Sequence, residues 1–154
     1  MKIRRAKEKD IPYLNKLLFQ VCDLHSKGRP DLFRQNAKKY TDKELKEKLN
    51  GTSNYIFVAE LDKQVVAYCF CEKHNRGGNI FYDKPSLYID DLCVDENCRG
   101  QKIGEKLFKF VENFAKENGF YDITLNVWSL NSGATKFYQK MGLLPLKTVM
   151  EKIL

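Results

Sequence analysis

A short basic turn near the middle of the chain has the residue types of an anion-binding site. It reads Arg99-Gly100-Gln101-Lys102-Ile103-Gly104 and separates an apolar run, 87–94, from an amphipathic run that begins at Ile103. Where a strand passes into a helix, several backbone N–H groups point outward at the positive end of the helix dipole. Glycines let a ligand approach the backbone closely, and the arginine and lysine add charge. We therefore predict that this turn holds a phosphate.

Two adjacent carboxylates, Asp90 and Asp91, lie just before the turn. A carboxylate can remove a proton from a reacting group, and it attracts a cationic amine. Because neighbouring residues of a strand face opposite sides, only one of the two enters a site unless a β-bulge intervenes. His25 is a second candidate for accepting a proton, since imidazole titrates near neutral pH. It could instead stabilise the end of a helix.

The hydrophobic periodicity predicts the order β-α-α-β-β-β-α-β-α-β along the chain. The first helix has its apolar face from Ile11 to about His25, after an N-cap at Asp10. The other predicted elements are an edge strand 2–5, a helix from the capping box at 41–44, strands 54–60, 63–72, 87–94 and 121–128, helices 103–118 and 132–141, and a last strand 146–154.

The loop after the first helix is polar, with charged and aromatic residues in it. Arg29, Asp31 and Phe33, together with His25, are therefore candidates for an acceptor-binding pocket. The alternative is an ordinary connection between two helices.

Length and composition indicate one globular domain over residues 1–154. The chain is 43% hydrophobic and 12% aromatic, which excludes disorder, and no apolar run approaches a membrane span. The first residues lack the apolar region of a signal peptide, so we expect a cytoplasmic protein without a membrane partner. The net charge of +7 is scattered rather than clustered, so we do not expect nucleic-acid binding.

The five cysteines are an odd number and lie mostly in apolar runs, which indicates free thiols in a reducing compartment. We expect Cys69 and Cys71 to present their sulfurs to opposite faces of a strand, an arrangement that does not suit chelation. The sequence therefore predicts no metal site.

Two stretches together resemble the GNAT superfamily of acyl-CoA-dependent N-acetyltransferases. Residues 99–104 are similar to its pyrophosphate signature, Gln/Arg-x-x-Gly-x-Gly/Ala, and residues 131–143 to its Asn-x-x-Ala-x-x-Phe-Tyr-x-x-x-Gly-Phe helix. Lys102 stands where the family prefers glycine, and Leu143 where phenylalanine is usual.

The resemblance implies an α/β (α+β) GNAT fold. Its central sheet is mixed and largely antiparallel, with about seven strands, about four flanking helices and a splay between the central strands. It also implies acetyl-CoA as co-substrate, with its pantetheine arm paired along the central strand. The cofactor-binding residues so implied are Leu92, Cys93, Val94, Arg99, Gly100, Gln101, Lys102, Ile103, Gly104, Asn126 and Asn131. The alternative role for Asn131 is to cap its helix.

The family chemistry is acetyl transfer to a primary amine by direct attack in a ternary complex. The resemblance implies that Tyr138 protonates the leaving sulfur, and the similarity to polyamine acetyltransferases favours Asp90 over Asp91 as the base. The acceptor would be a small molecule, polyamine- or aminoglycoside-like, or a peptide N-terminus. Two alternatives are a non-catalytic acyl-CoA sensor of the same fold and an RNA-associated protein. A homodimer could form through the predicted last strand.

Overall fold

The computed structural model describes residues 1–154, and its centre is one five-stranded sheet in the order β1-β2-β3-β4-β5. Pairing is antiparallel except between β4 and β5, which run parallel, so the sheet is mixed and largely antiparallel as expected. The strands are β1 Lys2–Arg5, β2 Asn54–Leu61, β3 Gln64–Arg76, β4 Lys84–Val94 and β5 Asp122–Leu125.

Four helices cover the two faces of the sheet. One face packs against α1 (Ile11–Gly28) and α2 (Asp42–Asn50), and the other against α3 (Ile103–Glu117) and α4 (Ser132–Lys140). Each face has its own hydrophobic core: the α1-side core lies under α1 and α2, and the α3-side core lies under α3 and α4. Apolar side chains of β2 and β3 alternate between the two cores, as the two-residue period of a strand requires. None of the helices is both long and apolar enough to cross a membrane.

The predicted last strand, 146–154, was wrong, and the sheet has five strands rather than about seven. Residues 144–154, called the tail segment below, form no helix or strand. Its six large apolar side chains are all at least 70% exposed: Leu144, Leu146, Val149, Met150, Ile153 and Leu154. A strand needs a neighbour to satisfy its backbone groups, and no strand of this chain pairs with the segment.

The expectation for Cys69 and Cys71 was also wrong. Residues two apart on a strand share a face, and both thiols lie in the α3-side core with their sulfurs 3.5 Å apart. All five cysteines are free thiols.

A β-bulge interrupts the pairing of β3 with β4. Phe70 pairs with Asp91, and the next residue, Cys71, pairs with Ile89, so Asp90 has no partner on β3. The extra residue shifts the alternation of β4 at the point where its two carboxylates stand.

Candidate active site

The bulge turns both carboxylates toward the same side of the sheet. Asp90 contacts Tyr40, which packs against the α1-side core, and Asp91 contacts Tyr68, which belongs to that core. Strict alternation would have placed one of them among the α3-side residues, where Leu92 lies. Asp90 and Asp91 therefore enter one site, the exception that the sequence argument allowed for.

Asp90 is fully engaged by the segment before α2. Lys39 Nζ lies 2.6 Å from its Oδ1, and the hydroxyl of Tyr40 donates to its Oδ2. Burial, followed by the hydrogen bond to Asp90, raises the pKa of Tyr40, so this phenol stays protonated. Asp90 therefore ties the chain between α1 and α2 to the centre of the sheet.

Asp91 has no cationic partner. Its Oδ2 accepts a hydrogen bond of 2.8 Å from Tyr68, which is itself completely buried. Burial raises the pKa of Asp91 to about 6, against the lowering effect of Tyr68 and of the more distant Lys39. A carboxylate with that pKa is mostly ionised at pH 7 yet basic enough to take up a proton.

Tyr138 lies on α4, on the opposite side of the same cleft. Its ring is held by Phe137 and Phe108, with centroids 5.2 and 6.5 Å away. Burial raises its pKa, with smaller contributions from Cys69 and Asp91, so the phenol carries its proton throughout the neutral range. Asp91 and Tyr138 are thus a proton acceptor and a proton donor within electrostatic range of each other.

The two central strands part beside this pair. β4 and β5 pair only from Ser86 to Ile89, whereas β4 continues to Val94. Beyond Ile89 the edge of β4 that faces away from β3 has no neighbouring strand. Leu92, Cys93 and Val94 lie on this open stretch, where an extended ligand can add as a strand.

The turn predicted to bind phosphate follows β4 directly. Gly100 and Lys102 have positive φ angles of 78° and 59°, and Lys102 occupies the N-cap of α3 without a side-chain capping bond. The first N–H groups of the helix are therefore left for a ligand. Ile103 is buried in the core, so only its backbone faces the turn. Gly104 packs near Val94 and Phe137, where an added Cβ would lie 3.4 Å from each.

The turn residues and the carboxylates share one open cleft of about 3200 Å³. Arg99, Gly100, Lys102, Ile103 and Gly104 line it, whereas Gln101 does not. The donor set, with backbone N–H groups at a helix start and two basic side chains, fits a pyrophosphate. The residues present are thus compatible with coenzyme A.

The two asparagines have partners within the chain. Asn126 Nδ2 donates to the Tyr88 hydroxyl at 3.1 Å, and Asn131 Oδ1 accepts from the backbone N–H of Ala134 at 3.1 Å. Asn131 therefore caps α4. Both line the cleft, and their roles toward a ligand remain predictions.

On the acceptor side, His25 packs against Phe33 with ring centroids 5.0 Å apart, and Trp128 packs edge-on against Phe33 at 5.2 Å. His25 lies within α1, whose end is Gly28 rather than His25. Arg29 and Asp31 pair with each other at 2.7 Å, and Arg29 also binds Glu151 of the tail segment at 2.8 Å. Asp31 lies outside the cleft, so its carboxylate holds Arg29 in place.

The model of the acetyltransferase (GNAT) family matches residues 18–143, most of the chain. The chain belongs to the GNAT family. The match covers both the bulged strand and the turn, and it ends at Leu143, just before the tail segment.

Individual GNAT relatives agree with this assignment. A probable N-acetyltransferase of Xenopus laevis, camello, is 30% identical over 87 residues, which are 56% of this chain and 37% of that protein. An uncharacterized N-acetyltransferase of Methanocaldococcus jannaschii is 36% identical over 58% of this chain and 52% of its own length. The chain therefore aligns with about half or less of these curated relatives.

Solved structures match over the whole length. A mutant of a Bacillus halodurans protein has a TM-score of 0.96 at 29% identity and covers 100% of this chain and 99% of its own. An aminoglycoside acetyltransferase from a soil metagenomic sample, in complex with trehalose, has a TM-score of 0.75 at 25% identity over 99% and 94% of the two chains. These structural matches therefore extend beyond the residues 18–143 that the family model covers.

Three residues of this GNAT site were not predicted from the sequence. Lys39, Tyr40 and Tyr68 contact the carboxylates from elements far apart in the chain. Tyr68 stands in an apolar run and looks like an ordinary core residue. Only the register between β3 and β4 brings its hydroxyl to Asp91, and no local pattern specifies that register.

Proposed function

We propose that this chain transfers the acetyl group of acetyl-CoA to a primary amine by direct attack within a ternary complex. The observation that carries the proposal is Asp91: a carboxylate with a pKa near 6 and no cationic partner, beside the protonated Tyr138, where β4 and β5 part. A base, an acid and an open strand edge at one point are what an acyl transfer to an amine requires.

The binding arrangement follows from the donors present. The N–H groups around Gly100 to Gly104, with Arg99 and Lys102, would hold the pyrophosphate of acetyl-CoA. The open edge of β4 from Asp90 to Val94 would pair with the pantetheine amides. When bound, acetyl-CoA supplies a thioester carbonyl as the acyl donor.

Asp91 removes a proton from the acceptor ammonium, which frees the nitrogen lone pair for attack. A C–N bond forms as the C–S bond of the thioester breaks. Tyr138 gives its phenolic proton to the departing sulfur, and the second proton, which the acetylated nitrogen loses once the C–N bond has formed, returns to the phenolate through solvent. The proton taken up by Asp91 is released to solvent. The products are the N-acetyl amine and free coenzyme A, and no covalent intermediate on the protein is involved.

Asp90, which the sequence argument favoured as the base, is assigned a different part. Its carboxylate is neutralised by Lys39 and hydrogen-bonded by Tyr40, so proton uptake there would break an ion pair. We assign Asp90 the role of holding the segment before α2 in place, and Asp91 the role of base.

Two measurements on the purified chain test the proposal. Acetyl-CoA at 100 times its Kd stabilises the folded state by about 2.7 kcal/mol, so we expect a rise in Tm. Mass spectrometry with a panel of amines should then detect N-acetyl products together with free thiol release. Binding without product for any amine would favour the acyl-CoA sensor, and no shift in Tm at millimolar ligand would overturn the proposal entirely.

A further inference from the structure

The carboxylates of the cleft are almost all neutralised by the chain itself. Six line the cleft: Asp90, Asp91, Glu105, Glu112, Asp122 and Glu151. Five of them have an ion-pair partner at 2.6 to 2.8 Å, namely Lys39, Lys140, Lys116, Arg76 and Arg29. Asp91 alone has none.

The cleft as a whole also carries excess positive charge. Nine Lys and Arg side chains line it, against the six carboxylates. A polycation would bring three or more charges into this surface and find one free carboxylate. In the ternary complex the cofactor phosphates offset Arg99 and Lys102, so it is the lack of free counter-charges that opposes the binding of a polycation, whereas a single ammonium needs only Asp91.

An aromatic wall lines the same cleft as this carboxylate. It consists of His25, Phe33 and Trp128. Phe33 contacts both of the other rings, and the ring centroids of His25 and Trp128 are 6.5 Å apart. Cys22 lies one turn before His25 on α1. Burial is the main cause that raises the pKa of its thiol, and the charge of Asp91 raises that pKa further, so Asp91 lies near this part of α1. Burial lowers the pKa of His25 and Lys39 lowers it further, so the wall is uncharged at neutral pH.

The loop after β5, which carries Trp128, packs against the end of α1. Leu130 packs onto Gly28 so closely that an added Cβ there would lie 2.6 Å from Leu130 Cδ1. Trp128, two residues before Leu130, is 42% exposed and lines the cleft. Flat rings that remain partly exposed beside a site offer contact area to an apolar or aromatic ligand.

We propose that the acceptor is a small amine with one positive charge and an aromatic or apolar body, the ammonium at Asp91 and the body on the wall of His25, Phe33 and Trp128. This inference rests on the proposed acetyl transfer and narrows its acceptor. It excludes, as preferred substrates, the polyamines that the adjacent acidic residues had suggested in the sequence, and also the aminoglycosides.

Binding can be followed without turnover, because Trp128 is the only tryptophan. In the presence of coenzyme A, cyclohexylmethylamine should change the tryptophan emission with saturation, whereas n-propylamine and spermidine should not at equal concentration. In initial-rate assays with acetyl-CoA, kcat/KM for 2-phenylethylamine should exceed that for spermidine or kanamycin by at least about tenfold.

Variants assign the preference to the wall. Phe33→Ala and Trp128→Ala should raise KM for 2-phenylethylamine about tenfold and leave KM for acetyl-CoA unchanged, because they remove only ring contacts. Tyr13→Ala is the matched control. It removes the ring of an exposed aromatic residue on α1, the helix that carries His25, but outside the cleft, and it should change neither KM.

A further variant, at Lys39, tests how the charge of the cleft selects the acceptor. Lys39→Met leaves Asp90 without its counter-charge, so activity with spermidine should rise severalfold relative to 2-phenylethylamine. Lys43→Met, at an exposed site on α2, should leave that ratio unchanged. Turnover that favours spermidine or kanamycin in the unmodified chain overturns this inference and leaves the acetyl transfer standing. Acetylation of none of the amines counts against both.

Discussion

Asp91 is both buried and assigned as the base, so its titration should determine how kcat/KM depends on pH. The base must be ionised to accept a proton, so kcat/KM should rise with pH through about 6, the pKa that burial gives this carboxyl. Asp91→Asn should remove this acid limb and lower kcat about 100-fold or more. Rate profiles from pH 5 to 9 measure both effects.

Asp90→Asn is the matched control for that prediction. Its carboxylate is already occupied by Lys39 and Tyr40, so the limb near pH 6 should persist and the main change should be in KM for the amine. If Asp90→Asn abolished the limb and Asp91→Asn kept it, the two roles would be reversed.

The same burial makes Asp91 a cost to the folded state. Folding raises its pKa from 3.8 to about 6, so the folded state binds its proton more tightly, and that stabilisation is lost as pH rises through about 6. Above pH 7 the ionised form costs at most about 3 kcal/mol. Asp91→Asn does not titrate, so its free energy of unfolding should exceed that of the unmodified chain at pH 8, and only about a third of that advantage should remain at pH 4.5, closer to the unfolded pKa of 3.8. Urea unfolding at both pH values measures the difference.

Tyr138 is assigned the proton for the leaving sulfur. Tyr138→Phe keeps the ring that packs against Phe108 and Phe137 but removes the hydroxyl. We expect kcat to fall between about 10- and 100-fold with Kd for acetyl-CoA unchanged. Calorimetric titration and initial rates provide the two values. Unchanged kcat would make Tyr138 a packing residue, the role its helical spacing alone favours.

Among single elements, the turn after β4 owes its shape to backbone conformation. Gly100 has φ +78° and open space around its Cα, so Gly100→Ala meets no clash but strains the backbone by about 1–2 kcal/mol. We expect that loss of stability together with a higher Kd for acetyl-CoA, because the N–H groups of the turn move.

Gly119, beyond the other end of α3, provides the matched control. Its φ is +72° and no atom lies within 4 Å of an added Cβ, so Gly119→Ala carries the same strain far from the turn. Thermal unfolding should be similar for the two variants, whereas acetyl-CoA affinity should fall only for Gly100→Ala. Equal affinities would remove the turn from the binding site.

The elements themselves were largely predictable because their signals are local. The capping box at Thr41 forms as written, with the Thr41 hydroxyl accepting from Glu44 N–H and the Glu44 carboxylate accepting in return. Asp10 is the N-cap residue of α1, as predicted, but its carboxylate binds Arg4 at 2.7 Å rather than an N–H group of the helix. That partner lies on β1, and a short-range pattern cannot weigh a contact between elements.

Non-local pairing decided the rest of the site. The bulge that aligns Asp90 with Asp91 and the register that brings Tyr68 to Asp91 both depend on how β3 meets β4. The missing last strand has the same origin, since residues 146–154 carry the residue types of a strand but pair with no strand of this chain. A high strand propensity means that the residues would fit into a sheet, but it does not show that a partner strand is there to pair with them.

At the scale of the whole molecule, an unpaired strand edge and an exposed apolar segment both lack a partner within the chain. β5 pairs only with β4, so its outer edge is open, and the tail segment exposes its six large apolar side chains. Within the chain, only the ion pair of Arg29 with Glu151 is known to hold the segment, at the end of α1. An open strand edge and an extended apolar segment are complementary, and two copies can satisfy both by exchanging tail segments about a twofold axis.

We therefore predict a homodimer in which the tail segment of each copy pairs with β5 of the other. Light scattering at about 50 μM should give twice the 18.0 kDa mass of one chain. Met150→Glu and deletion of residues 146–154 should each give a monomer, because both remove the apolar contact. Ile80→Glu changes an equally exposed apolar residue at the tip of the β3–β4 hairpin and should leave the dimer intact. A monomer in the unmodified chain at this concentration would contradict the exchange. Dissociation by Ile80→Glu alone would place the interface at the hairpin.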